Sequence, residues 1–92
     1  MKTYKYHVIG RVQGVGFRNS TTMLGTQMGL GGSARNLDDG SVEVIVQADE
    51  EQLAEFLQAL KHNRNNPFAR VDGIQLIDSY ESEKMTKFSA IY

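Results

Sequence analysis

The turn signal "DDG" at 38–40 divides the chain into two halves with the same internal plan. Asp-Gly between alternating apolar residues is a strong short-range hairpin signal, so the segments on either side of it are expected to pair as antiparallel strands. Ahead of the turn lies a short extended run, "GSARNL" (32–37). After it, "SVEVIVQA" (41–48) sets Val42, Val44, Val46 and Ala48 against Ser41, Glu43, Ile45 and Gln47. That period of two is the signature of a half-buried strand. Moving outward, each half enters one helical stretch. "DEEQLAEFLQALKH" (49–62) places Leu53, Phe56, Leu57 and Leu60 at i, i+3, i+4, i+7 spacing, and the polar "NRNNP" ends it. Asp49 followed by Gln52 predicts a capping box, with acidic residues filling the first turn. In the other half, "FRNSTTMLGTQMGL" (17–30) spaces Phe17, Thr21, Leu24 and Met28 along one helix face. Gly29 with Leu30 predicts a glycine C-cap and its hydrophobic contact. Gly25 inside the helix costs about 1 kcal/mol relative to Ala, so this is the weaker helix.

Each helix leads on to, or follows from, an outer strand. "TYKYHVIGRV" (3–12) puts Tyr4, Tyr6, Val8 and Val12 on one face and Lys5, His7 and Arg11 on the other. "ARVDGIQLIDSY" (69–80) is the fourth strand, with Gly73 a candidate bulge. The order is βαββαβ. Right-handed crossovers bring both helices to the same face of a four-stranded antiparallel sheet, a ferredoxin-like α+β sandwich. After the polar loop "ESEKMTK", the closing "FSAIY" (88–92) allows a short fifth strand. Each strand should show one face to the helices and one to water. The 92 residues are read as one domain, 1–92, with a modest core.

Several function classes are disfavoured at once. Ten basic and eleven acidic side chains give a net charge of −1, which offers no electrostatic footprint for nucleic acid or an anionic membrane. With no cysteine, disulfides, thiolate metal sites and thiol nucleophiles are excluded. The segment "MKTYKYHVIG" has no apolar run of signal-peptide length, and no stretch is long enough to cross a bilayer. A cytoplasmic protein, with nothing demanding more than a monomer, is the expectation.

The seven residues "VQGVGFR" (12–18) join the first strand to the first helix. Two readings compete. One is a glycine turn with a solvent-facing arginine. The other is an anion cradle, in which glycine frees backbone N–H groups, a helix N-terminus adds its partial positive charge, and Arg18 supplies a guanidinium. A cation in the first helical turn opposes the macrodipole, and an anion bound between them removes the conflict. The spacing from Val12 to Arg18 is also similar to the phosphate loop of cysteine phosphatases, with valine in place of the nucleophile. Phosphate chemistry here would therefore need direct attack by water, with no covalent thiol intermediate.

"GRVQGVGFR", followed after the helix by "GLGGSARNLDDGSVE", closely resembles the two signature stretches of the acylphosphatase family. The likeness extends over essentially the whole chain, including "NPFARV" and the final "FSAIY". The resemblance implies hydrolysis of carboxyl-phosphate mixed anhydrides to carboxylate and phosphate, without metal or cofactor. It makes Arg18 the phosphate-binding arginine and Gln13, Gly14, Val15, Gly16 and Phe17 the backbone of the phosphate loop. Asn36, in "ARN", becomes the residue that positions the attacking water. The chemistry is compatible. The carboxylate leaving group of an acyl phosphate makes neither a strong base nor an acid obligatory, leaving charge stabilisation and orientation of one water as the tasks. Arginine's planar fork suits the first, and a neutral amide that both donates and accepts suits the second. A small-molecule acyl phosphate is the expected substrate, with inorganic phosphate or sulfate competing for the cradle.

Some positions depart from the family's pattern. Ser33 stands where a bulky aromatic is frequent, Ala34 where a larger aliphatic is, and Gly25 where alanine is common, while Gly31 adds slack before the second strand. These predict a looser first helix and second strand rather than altered chemistry. His7 reads as a residue of the exposed sheet face and His62 as a complement to a helix C-terminus. Asp38 and Asp39 read as turn residues rather than cation ligands. The rival classes are a non-catalytic ferredoxin-like module that binds phosphate or nucleic acid, and the acylphosphatase-like part of a larger carbamoyl-transfer enzyme. An RNA reader on this scaffold would carry aromatics on its central strands and a basic face, and "SVEVIVQA" has no aromatic. A phosphate sensor would not need Asn36 beside Arg18. The larger enzyme is disfavoured because the chain starts and ends with this one domain.

Overall fold

The computed structural model describes residues 1–62 and 66–92. Its elements are β1 (Lys2–Arg11), α1 (Phe17–Gln27), β2 (Gly31–Asn36), β3 (Val42–Gln47), α2 (Glu50–Lys61), β4 (Arg70–Glu81) and β5 (Phe88–Ile91). They form one five-stranded sheet in the order β4-β1-β3-β2-β5. The central pairings are antiparallel, with Tyr6 opposite Val44 and Ala34 opposite Val44 from the other side. β5 pairs parallel to β2, from Gly32–Phe88 to Arg35–Ile91. The expected four-stranded antiparallel sheet is thus extended into a mixed one by the fifth strand. The reason lies at the far end of β4. The chain leaves β4 next to the start of β1, crosses that end of the sheet through residues 82–87, and enters beside the start of β2.

Local signals account for most of the elements. The capping box of α2 is complete, since the Gln52 backbone N–H donates to Asp49 Oδ1 at 2.7 Å and the Asp49 N–H donates to Gln52 Oε1 at 3.3 Å. α1 ends in a Schellman motif, with Gly29 N–H bonded to Thr26 O and Leu30 N–H to Gly25 O. In the β2–β3 turn, Asp39 Oδ1 accepts from both the hydroxyl and the backbone N–H of Ser41. Those bonds hold the Asp39 carboxyl below the usual carboxylate range. The only part of the predicted α2 stop that cannot be placed is Asn63, Arg64 and Asn65, which lie outside the described residues.

The core lies between the sheet and the helices. Val8, Val42, Val44, Val46 and Ala34 are fully buried from the sheet side, and Phe17, Leu24, Phe56 and Leu60 close over them from the helices. Phe88 of β5 joins this layer, its ring 5.8 Å from that of Phe56. That contact gives the glycines of the first half a different meaning from slack. A Cβ on Gly25 would run into the Phe88 ring, and one on Gly31 would run into Met85. Glycine at both positions allows close approach of the β5 arm.

Two further expectations change. Gln47 falls on the face of β3 that its alternation turns to water, yet it is 1 % exposed. Its amide donates to Thr3 Oγ1, Ser82 Oγ and Glu83 O, and its Oε1 accepts from Met85 N–H. The crossing segment therefore covers the open face at that end, and a satisfied polar network fastens it down. β4 departs in the other direction. As an edge strand it leaves Leu76 and Ile77 exposed instead of presenting a clean buried face. Its register with β1 shifts between Ile9 and Gly10, where Asp72 is passed over beside Gly73, the site of the predicted bulge.

Candidate active site

β1 and β2 run parallel to one another on either side of β3, so their C-terminal ends meet at one end of the sandwich. Arg11 leads from β1 into the loop at 12–16, and Asn36 closes β2. The residue pattern of β2 puts Asn36 on the same face as buried Ala34, under the start of α1. β5, parallel to β2, finishes there too. Ile91 pairs with Arg35, so Tyr92 is delivered beside Asn36.

The loop turns through Gly14 and Gly16, both at φ +75°, a left-handed conformation that L side chains rarely adopt and glycine adopts freely. Gly16 occupies the N-cap position of α1 in that conformation and offers no side-chain cap. The first N–H groups of a helix have no partner within the helix. No acidic residue stands in the first turn of α1 to answer their partial positive charge.

A cavity of about 160 Å³ opens at this point, lined by Val12, Gly14, Gly16, Phe17, Arg18, Asn19, Asn36 and Tyr92. A water's share of liquid volume is about 30 Å³, so the space admits a tetrahedral anion with water beside it. Arg18 forms part of this lining. Its Nη1 donates to Ile91 O at 3.1 Å and its Cζ sits 4.0 Å from the centre of the Tyr92 ring. The Tyr92 hydroxyl is in turn bonded to Asn19 Oδ1 at 2.6 Å. Asn36 also lines the cavity, and its Oδ1 is buried and has no hydrogen-bond partner among the described residues. A buried amide oxygen with an open acceptor position is costly unless something fills it.

Gly14, Gly16, Phe17, Arg18 and Asn36 therefore come together around one cavity, while Gln13 and Val15 do not line it. The Gln13 amide donates instead to Leu37 O at 2.8 Å and Ser41 O at 2.9 Å, which staples the loop to the β2–β3 turn. Val15 turns its side chain against the core. Three contributors escaped the sequence reading. Asn19 and Tyr92 line the cavity, and Asn66 reaches the loop from the α2–β4 connection, donating to Val15 O at 2.8 Å. The parallel pairing of β5 is the missing signal for Tyr92. His7, on β1 opposite Glu43 and Gln75, and His62, bonded to Gln58 at the end of α2, lie apart from the cavity lining.

A larger hollow of about 330 Å³ lies between α2 and β4, lined in part by Tyr6, Leu57, Lys61 and Ile74. Its size does not make it the site. Among the described residues its lining includes neither an arginine nor a helix N-terminus, whereas the smaller cavity gathers both.

The acylphosphatase family model matches residues 4–90. An acylphosphatase of Lactobacillus johnsonii is 40% identical over 92 residues, covering 100% of both chains. The crystal structure of the acylphosphatase from Bacillus subtilis superposes with a TM-score of 0.87 at 38% identity, again covering 100% of each chain. The HypF protein of T. kodakarensis contains the same fold at TM-score 0.84 and 32% identity, matching all of this chain and 12% of its own length. No helix among the described residues is long and apolar enough to cross a membrane. The match runs through both strands, the loop and the helix that frame the cavity, and the chain belongs to the acylphosphatase family.

Proposed function

We propose that the chain hydrolyses acyl phosphates, with the phosphoryl group bound by the 13–18 loop and Arg18 and the attacking water held by Asn36. The observation that carries this reading is the cavity itself, where Arg18, the two left-handed glycines and the unpartnered Asn36 Oδ1 converge. Backbone N–H groups from the loop and the α1 terminus, with the guanidinium, neutralise charge on the phosphoryl oxygens as it builds up. Asn36 accepts a hydrogen bond from the water and aims its oxygen at phosphorus. A new P–O bond forms as the bond to the acyl oxygen breaks, and that electron pair leaves on the carboxylate. The proton of the water passes to a phosphoryl oxygen. Because the leaving group is a stabilised carboxylate, no side-chain acid is needed to protonate it.

The reading extends to competing ligands. Inorganic phosphate and sulfate occupy the same cradle, because it recognises the tetrahedral anion rather than the acyl chain. The protein acts as a monomer in the cytoplasm, with neither nucleic acid nor membrane as partner and with no metal or cofactor. Hydrolysis of benzoyl phosphate by the purified protein in the presence of EDTA tests the whole account. Turnover unaffected by the chelator supports it. Folded protein that fails to hydrolyse the compound returns the chain to the non-catalytic phosphate-binding reading.

A further inference from the structure

We infer that Asn66 is a positioning residue for the anion cradle, fixing the direction of the Gly16 backbone N–H through the carbonyl of Val15. The inference rests on the 13–18 loop being the phosphate site.

Val15 lies between two glycines in the left-handed conformation. Glycine tolerates both signs of φ, so the backbone alone does not decide which way the Val15–Gly16 peptide plane faces. Asn66 decides it. Only 6 % exposed, it donates from Nδ2 to Val15 O at 2.8 Å and to Ser20 Oγ at 3.3 Å. Its own orientation is set by Oδ1, which accepts from the Phe68 N–H at 3.0 Å. In a trans peptide the C=O and the following N–H point in opposite directions. A carbonyl held toward Asn66 therefore turns the Gly16 N–H away from it, to the side where Gly14 and Gly16 line the cavity and Val15 does not. With its side chain packed on the core, Val15 is fixed at two points. The cradle is thereby preorganised before an anion arrives, which lowers the ordering cost of binding. The bond from Asn66 to Ser20 links the same residue to α1, whose N-terminus forms the other part of the cradle.

The test is titration of 15N-labelled protein with inorganic phosphate, for the parent and for Asn66→Ser. A serine oxygen can still cap the Phe68 N–H as a turn residue, while the donor to Val15 is lost. Phosphate affinity should fall about three- to tenfold, the scale of one hydrogen bond. KM for benzoyl phosphate should rise by a similar factor with kcat within about twofold, because the variant keeps every group of the cradle and loses only the preorganisation, whose ordering cost is then met on binding. Equal phosphate affinity in parent and variant would overturn the inference alone. A parent whose amides at 13–18 ignore phosphate overturns the cradle reading and the inference with it. If Asn66→Ser does not fold, the parent still decides. Its Asn66 side-chain NH₂ protons should be protected from solvent exchange with and without phosphate, and rapid exchange in both states would contradict the role.

Discussion

The guanidinium of Arg18 stacks on the ring of Tyr92, with 4.0 Å from Cζ to the ring centre, while its Nη1 is anchored on the carbonyl of Ile91. The cation at the start of α1 is thus oriented by Ile91 at the end of β5 and by Tyr92 just after it. Removing the ring should loosen it. Tyr92→Ala is expected to weaken inhibition by phosphate about two- to fivefold, in keeping with an exposed cation–π contact of ~0.5–1 kcal/mol. Tyr92→Phe, which keeps the stack and loses only the bond to Asn19, should stay within about twofold of the parent in the same inhibition assay.

Gly25 should resist replacement by alanine. Helix propensity alone favours Gly25→Ala by about 1 kcal/mol. The added Cβ, however, meets the Phe88 ring in the core, and overpacking of this kind costs ~1–3 kcal/mol. The net expectation is a loss on the order of 1 kcal/mol in urea unfolding. In a Phe88→Leu background the same substitution should cost less, because the obstructing ring is gone.

Gln47 should matter for stability and not for turnover. It pairs with Thr3 and Gly31, at the starts of β1 and β2, whereas the cavity lies at their ends. Gln47→Leu leaves the Met85 N–H and its other partners without it in a buried setting. A loss of about 2–3 kcal/mol is expected in chemical unfolding, with kcat per folded molecule unchanged.

These residues mark where the sequence is informative about the fold and where it is not. The Asp49–Gln52 cap, the Gly29 cap, the period-two face of β1 and that of β3 as far as Val46 are local, and each is present in the structure at the predicted place. Gln47, Gly25 and Tyr92 depend on the segment after β4, a polar loop and a short strand without strong periodicity. Its route across the sheet depends on contacts far apart in sequence, and a side chain's burial follows from that route. The candidate site divides in the same way. Arg18 and the glycines lie within one short motif, and Asn36 joins them through the βαβ crossover. Asn66 acts across 51 positions through a carbonyl, which no residue pattern encodes.

Neither histidine should be required. Both stand apart from the cavity lining, and a water that passes its proton to the phosphoryl group needs no side chain titrating near neutrality. His7→Asn and His62→Asn are expected to keep kcat/KM within a few-fold of the parent. A hundredfold loss in either, with the fold intact by circular dichroism, would bring back a general base.

The division of labour between Arg18 and Asn36 is tested most directly by measuring, in Arg18→Ala and Asn36→Ala, both the inhibition constant for phosphate and kcat on benzoyl phosphate. Arg18→Ala should weaken phosphate binding and turnover together, and Arg18→Lys should recover little, since a point charge does not reproduce the planar fork. Asn36→Ala should leave phosphate inhibition nearly unchanged while kcat falls by on the order of a hundredfold or more, the scale of one lost transition-state contact. If Asn36→Ala instead loses phosphate affinity as severely as Arg18→Ala and keeps its kcat at saturation, Asn36 binds substrate and does not position the water.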